Sequence, residues 1–115
     1  TNMMRSVLNE GTAAGARSAG FTADAAGKTG TTNDQRDAWF IGFTPDLLAV
    51  VWVGFDDNKP IGLTGAQAAL PIWTAFMKRA TAGRPAPALP PSVPAPPLAR
   101  LCSIRLRPDC WISAL

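Results

Sequence analysis

Residues 26–33, AGKTGTTN, bring together groups that could bind an anion. Lys28 places a positive charge between two glycines, and Thr29, Thr31 and Thr32 add three hydroxyl groups. The two glycines disfavour a helix interior, and the polar side chains disfavour a fully buried strand. A cation beside hydroxyl donors can hold a carboxylate or a phosphate.

A nucleotide phosphate loop is one interpretation, because such loops end in GKT. That pattern needs a glycine five residues before Gly27, where this chain has Thr22. It also needs a helix that starts at the lysine, and Gly30 with the polar run to Asp37 disfavours one. The sequence therefore argues against a phosphate loop.

Two interpretations remain for the stretch: a glycine turn with a solvated lysine, or the KTG element of the penicillin-recognising serine enzymes. Three matching letters are weak evidence alone. The stretch leads directly into two segments rich in β-branched and aromatic residues, at 38–43 and 47–55, joined by Thr44-Pro45-Asp46. This pattern predicts an antiparallel hairpin, with 47–55 central and covered on both faces. We expect the AGKTGTT stretch, residues 26–32, to be a strand adjacent to 38–43.

Two helices are expected around these strands. A short one near the start has Met3, Met4, Val7 and Leu8 as its apolar face. The second lies within 64–80, where Thr64 can cap its start and Pro71 requires a kink or a late start. Its apolar residues recur at helical spacing, and we expect them to face the sheet, with Trp73 as a core anchor: Ala69, Ile72, Trp73, Phe76, Met77.

Composition excludes several classes of function. The net charge of +3 comes from the last 35 residues, because the seven basic and seven acidic residues of 1–80 cancel. No basic stripe with interleaved aromatic residues supports nucleic-acid binding. The chain has no histidine, which removes Ser-His-Asp and Cys-His machinery and most zinc sites. No apolar run reaches membrane-spanning length, and no signal peptide opens the chain.

The segment 81–115 has a different character. Residues 81–100 contain seven of the 11 prolines, so we expect them to be extended, solvated and of little consequence for stability. The whole segment is a proline-rich, basic tail that we expect to be disordered. Cys102 and Cys110 allow a disulfide, and two unpaired thiols are equally compatible with their spacing.

Residues 1–80 resemble the C-terminal part of the transpeptidase domain of class A penicillin-binding proteins. The segments that carry the resemblance occur in the family's order: AGKTGTTNDQRDAWFIGF, TPDLLAVVWVGFDD and GAQAALPIWTAFM. DAWF and LPIW disfavour a serine β-lactamase. The resemblance implies an α+β fold, the C-terminal portion of a β-lactamase/transpeptidase-like fold, with an antiparallel sheet packed against helices and followed by the proline-rich tail.

The resemblance also implies roles for Lys28, Thr29, Gly30 and Thr31. The lysine and the two hydroxyls would hold the carboxylate of a D-Ala-D-Ala stem peptide or a β-lactam. Gly30 would let the substrate backbone approach, and the backbone N–H of Thr31 would form half of an oxyanion hole. No cofactor, metal or nucleotide is implied.

The family's S-x-x-K and S-x-N elements are absent from these 115 residues. Since both precede KTG in the family, we expect truncation, and we expect the fragment alone to be inactive and unlabelled by penicillin. The alternative is a non-catalytic remnant or a binding module that works through its tail. The resemblance implies a peptidoglycan transpeptidase on the periplasmic face of the inner membrane. A glycosyltransferase part and the membrane attachment would both be N-terminal to this chain, and its partner would be the rest of the same domain.

Overall fold

The computed structural model describes residues 2–90, 102–107 and 110–114, and side-chain burial for residues 3–90. The chain has an α+β architecture. A 3₁₀ turn (Asn33–Gln35) joins the first two strands. The elements in chain order are α1 (Asn2–Asn9), α2 (Gly15–Ser18), β1 (Ala26–Thr31), β2 (Ala38–Phe43), β3 (Leu48–Phe55), α3 (Ala69–Thr81), β4 (Cys102–Arg107) and β5 (Cys110–Ala114).

The described strands form one sheet in the order β1-β2-β3-β5-β4, and every neighbouring pair is antiparallel. The predicted hairpin is confirmed as β2 and β3, and the N–H of Thr44 donates to the carbonyl of Leu47 across the turn at 2.8 Å. The KTG stretch is confirmed as a strand, which pairs with β2 from Ala26↔Phe43 to Thr31↔Ala38. β1 is thus at the edge of the described sheet.

The two faces of β2 differ sharply in burial. Its residues alternate between buried Ala38, Phe40 and Gly42 and outward-facing Trp39 and Ile41, which are about 40% exposed. We call these the inner and the outer face. The expectation that β3 is covered on both faces is confirmed in its first half, where the adjacent residues 49–51 are all buried.

Helix α3 packs on the inner face through the predicted apolar residues. Trp73 is fully buried, and its ring lies edge-on to Phe40 at 4.9 Å and to Phe21 at 5.3 Å. Its Nε1–H donates to the carbonyl of Gly42 at 3.3 Å. A Cβ on Gly42 would lie 2.5 Å from the indole, so only glycine lets the helix approach this closely. Trp73 is the core anchor that the helical spacing predicted.

Two details of the helices differ from the sequence expectations. Thr64 does not cap α3, which begins at Ala69; instead, its N–H and hydroxyl bond the side-chain oxygen of Gln67 in a turn. The late start follows from Pro71, which lacks an N–H and would clash with the carbonyl of Gln67 in a longer helix. In α1, Leu8 is buried but Met3 is 85% exposed, because the helix presents only its second half to the core.

The segment after α3 also differs from the expected disordered tail. Leu89 is buried, and strands β4 and β5 extend the sheet beyond β3. Apolar and polar residues alternate in 102–107, and 110–114 contains the strand-forming residues Trp111 and Ile112. Residues 91–101, 108, 109 and 115, with most of the expected disordered stretch, lie outside the described residues.

The β4–β5 register bears on the two cysteines. Cys102 is opposite Ala114, whereas Cys110 is opposite Arg107. Ala114 lies four positions after Cys110 in β5, which is roughly 13 Å along a strand. A disulfide needs Cα atoms within about 7 Å. The register therefore places the backbones of the two cysteines far apart along the β4–β5 ladder.

Candidate active site

Strand alternation divides the KTG residues between the two faces of the sheet. Lys28 and Gly30 are opposite Ile41 and Trp39, the outward-facing residues of β2. Thr29 and Thr31 are on the inner side. Because β1 is an edge strand, side chains on either face can still reach around its free side.

The backbone of β1 presents an N–H group at the free side of the strand. The N–H of Thr32 donates to the carbonyl of Asp37 at 3.1 Å, which makes Thr32–Asp37 a hydrogen-bonded pair. In an antiparallel ladder, hydrogen-bonded pairs alternate with pairs whose polar groups point away from each other. Given the register Thr31↔Ala38, the backbone N–H of Thr31 points away from β2.

The ammonium group of Lys28 is at this same free side. The Lys28 side chain is exposed, and its Nζ donates to the carbonyl oxygen of Thr29 at 2.8 Å. By the same alternation, that carbonyl points away from β2. The positive charge of Lys28 and the outward N–H of Thr31 therefore share one edge of the sheet.

The two threonine hydroxyls are held by residues distant in sequence. The Thr29 hydroxyl lies 3.2 Å from that of Thr12, which belongs to the connection between α1 and α2. The Thr31 hydroxyl accepts a hydrogen bond from the N–H of Gly65 at 3.1 Å. A hydroxyl that accepts one hydrogen bond still has its own hydrogen to donate. Thr31 can thus donate to an anion while it stays fixed by Gly65.

Close packing fixes the backbone of the strand at Gly30. A Cβ on Gly30 would lie 3.3 Å from the Cβ of Trp39 across the strands. Gly65 lies over the same ladder, where a Cβ would meet the carbonyl oxygens of Trp39 at 2.4 Å and of Gly30 at 2.6 Å. The absence of a side chain at Gly65 lets the 64–68 turn rest directly on β1 and β2.

The arrangement can bind an anion through one cation, one backbone N–H and two hydroxyls. All four residues expected from the sequence are in this strand: Lys28, Thr29, Gly30, Thr31. Sequence reasoning missed Thr12 and Gly65, which contact the strand from 17 and 34 residues away. No local spacing could have indicated either contact.

Other site types find no support in the described part of the chain. Within residues 2–90 and the two tail strands, no group of three or more His, Cys, Asp or Glu side chains could hold a metal ion. None of the helices in these ranges is long and apolar enough to cross a bilayer.

Comparison with known proteins identifies the relatives of the chain. No protein-family model matches it. It is 48% identical over 85 residues to the penicillin-binding protein 1A of Neisseria lactamica, covering 72% of this chain and 10% of that protein. It is also 48% identical over 82 residues to the penicillin-binding protein 1A of Aquifex aeolicus, covering 70% of this chain and 11% of that protein. The chain thus spans about a tenth of the length of these curated relatives.

The fold leads to the same group of proteins. The crystal structure of penicillin-binding protein 1A from Haemophilus influenzae matches with a TM-score of 0.67 and 30% sequence identity, over 87% of this chain and 16% of that one. Sequence and structure agree, and the chain is homologous to a segment of penicillin-binding protein 1A.

Proposed function

We propose that the chain is the KTG-bearing part of a peptidoglycan D,D-transpeptidase with a β-lactamase/transpeptidase-like fold. Residues 1–80 form the C-terminal part of the transpeptidase domain, and residues 81–115 are an extension of it. The observation that carries the proposal is the shared edge of β1, where both the Lys28 ammonium and the outward N–H of Thr31 lie. The homology to penicillin-binding protein 1A supports it.

In this proposal the KTG strand binds the carboxylate of the substrate. Lys28 attracts the terminal carboxylate of a D-Ala-D-Ala stem peptide, or the carboxylate of a β-lactam. The hydroxyls of Thr29 and Thr31 donate to the same group, since hydrogen bonds to a charged acceptor are stronger than neutral ones. Gly30 leaves the strand backbone open to an extended peptide.

The backbone N–H of Thr31 stabilises the oxyanion of the acyl-transfer step. A serine oxygen attacks the penultimate D-Ala carbonyl, and the terminal D-Ala leaves as the acyl-enzyme forms. An amine of a neighbouring stem peptide then displaces the serine. One preorganised oxyanion donor typically contributes about 3–4 kcal/mol to such a step. The serine, its general base and the second oxyanion donor come from the rest of the domain.

The whole protein would act on the periplasmic face of the inner membrane. We propose that the glycosyltransferase part and the membrane attachment belong to the N-terminal portion of the full-length protein, and that the partner of this chain is the remainder of its own domain.

Substitution of Lys28 in the full-length protein tests the proposal. Lys28→Ala should lower the second-order rate of β-lactam acylation at least about a hundredfold, since a removed transition-state contact of about 2.7 kcal/mol or more costs that factor. Lys28→Arg keeps the charge on a wider, planar group and should retain part of the rate. Arg79→Ala, which removes an exposed cation from the end of α3, is the control. Acylation of Lys28→Ala at the parent rate would refute the role of this strand.

A further inference from the structure

The segment that follows α3 turns back onto the body of the molecule. Residues 82–90, which we call the strap, include Gly83 at φ +72°, a conformation that favours glycine. The strap then borders a cleft with the 44–47 turn of the β2–β3 hairpin. Eight of its nine residues are exposed, and Leu89 alone is buried, with 3% of its surface accessible.

Two charged side chains from different elements bind the backbone of Leu89. Its N–H donates to Oδ2 of Asp24 at 2.8 Å, and its carbonyl oxygen accepts from Nη2 of Arg5. The same Nη2 and Oδ2 atoms form an ion pair with each other at 2.9 Å. The N–H and the carbonyl oxygen of Leu89 are therefore both hydrogen-bonded, as they would be beside a neighbouring β-strand.

The sequence of the strap explains why Leu89 is the residue that docks. Pro85, Pro87 and Pro90 have no N–H to donate, and the remaining side chains apart from Arg84 are alanine or glycine. Leu89 combines a backbone donor with a large aliphatic side chain. The prolines also restrict φ in the unbound strap, which lowers the entropy lost on docking.

Arg5 contacts both Asp24 and Leu89 through one nitrogen, Nη2. Its Nε is buried and has no hydrogen-bond acceptor among the described residues. Burial of a guanidinium nitrogen is unfavourable unless other contacts of the same group compensate. The bonds from Nη2 to Asp24 and to Leu89 are the contacts that hold the guanidinium here.

We propose that Arg5 and Asp24 form an intramolecular docking site for Leu89, a latch that closes the strap over the body. The latch joins α1, the strap and the residues just before β1, because Asp24 precedes the first residue of that strand by two positions. It fixes where the chain leaves the body and connects that exit to the start of the strand that carries Lys28. The latch is independent of the proposed enzymatic function.

Amide hydrogen exchange of the 115-residue chain, followed by NMR, tests the latch. The Leu89 amide should exchange at least about tenfold more slowly than that of Ala88, because a bonded amide exchanges only when the contact opens. Leu89→Ala and Asp24→Asn should each accelerate exchange at position 89, by removing the buried side chain or weakening the acceptor. Leu63→Ala, which truncates an exposed leucine of the body, should leave the Leu89 rate unchanged.

Three outcomes would overturn the latch. The first is a Leu89 amide that exchanges as fast as Ala88 in the unmodified chain, a measurement that needs no variant. The second is a Leu89 rate that neither substitution alters while the amides of β3 stay protected. The third is protection that depends on protein concentration, which would show that the strap docks on a second copy instead.

Discussion

At the scale of single residues, the candidate site depends on hydroxyls that are fixed from inside the molecule. Thr31 accepts a hydrogen bond from Gly65, and Thr29 contacts Thr12. The bond from Gly65 positions the oxygen of Thr31, and the hydrogen of that hydroxyl can rotate to donate to an anion at the strand edge. Lys28, in contrast, is exposed and contacts only its neighbour's carbonyl among the described bonds.

Substitution of Thr31 tests how much the hydrogen bond from Gly65 to the Thr31 hydroxyl contributes to stability. Thr31→Val keeps the branched shape but leaves the partly buried N–H of Gly65 without an acceptor, which should lower the free energy of unfolding by about 1–2 kcal/mol. Thr31→Ser retains the hydroxyl and should be close to the parent. Urea denaturation of the two variants gives the comparison. Equal midpoints for Val and Ser would mean that the Gly65 contact adds nothing to stability.

At the scale of elements, β1 is positioned by close contact of backbones rather than by large side chains. Its cross-strand partner is β2, and the 64–68 turn lies directly over the ladder at Gly65. Any Cβ at Gly65 would lie within 2.6 Å of two carbonyl oxygens, which belong to paired strands and cannot move aside. The turn that precedes α3 therefore determines how β1 is held.

Gly65→Ala should consequently destabilise the molecule by about 1–3 kcal/mol, the usual cost of overpacking. Gly15→Ala is the matched control, because its Cβ would lie 3.8 Å from the nearest atom, a methyl of Leu70 in ordinary contact. The backbone of Gly15, the first residue of α2, is not in the left-handed region that favours glycine, so that control should be neutral or slightly stabilising. Thermal unfolding followed by circular dichroism distinguishes the two. Equal melting temperatures for the Gly65→Ala and Gly15→Ala variants would contradict the close contact between Gly65 and the two strands.

At the scale of the whole molecule, one core unites the sheet with the helices. Trp73 contacts Phe40 from β2 and Phe21 from the connection before β1, so a single indole holds three parts of the chain together. The outer face is less well covered, since Trp39 and Ile41 of β2 are about 40% exposed there. The stability of this fragment thus depends on the inner face.

Trp73→Ala should remove about 3–5 kcal/mol of stability, as expected for a large aromatic residue deleted from a core. Trp39→Ala is the control from the outer face, where the side chain is 39% exposed and loses mainly its contact with Trp52. Its effect should be less than half as large. The measurement is the free energy of unfolding in urea. Similar losses for the two variants would mean that the outer face is as well packed as the inner one.

The main elements and the identity of the site strand follow from local features of the sequence. Alternating and β-branched residues define the hairpin, apolar spacing defines α3, and Pro71 delays its start; these are effects of side-chain shape and missing donors on neighbouring residues. The KTG motif and its flanking segments also indicate the family, because a motif consists of consecutive residues and is complete in the sequence.

Which groups meet, in contrast, depends on the folded chain. Thr12, Gly65 and the strand they contact are far apart in sequence, as are Arg5, Asp24 and Leu89. Composition alone predicts that the strap belongs to a solvated tail, since prolines and alanines bury little surface. Leu89, with its two backbone bonds, is the exception to that expectation, while the other eight residues of the strap are exposed. Such long-range contacts arise from the path of the folded chain and leave no periodic signal in the sequence.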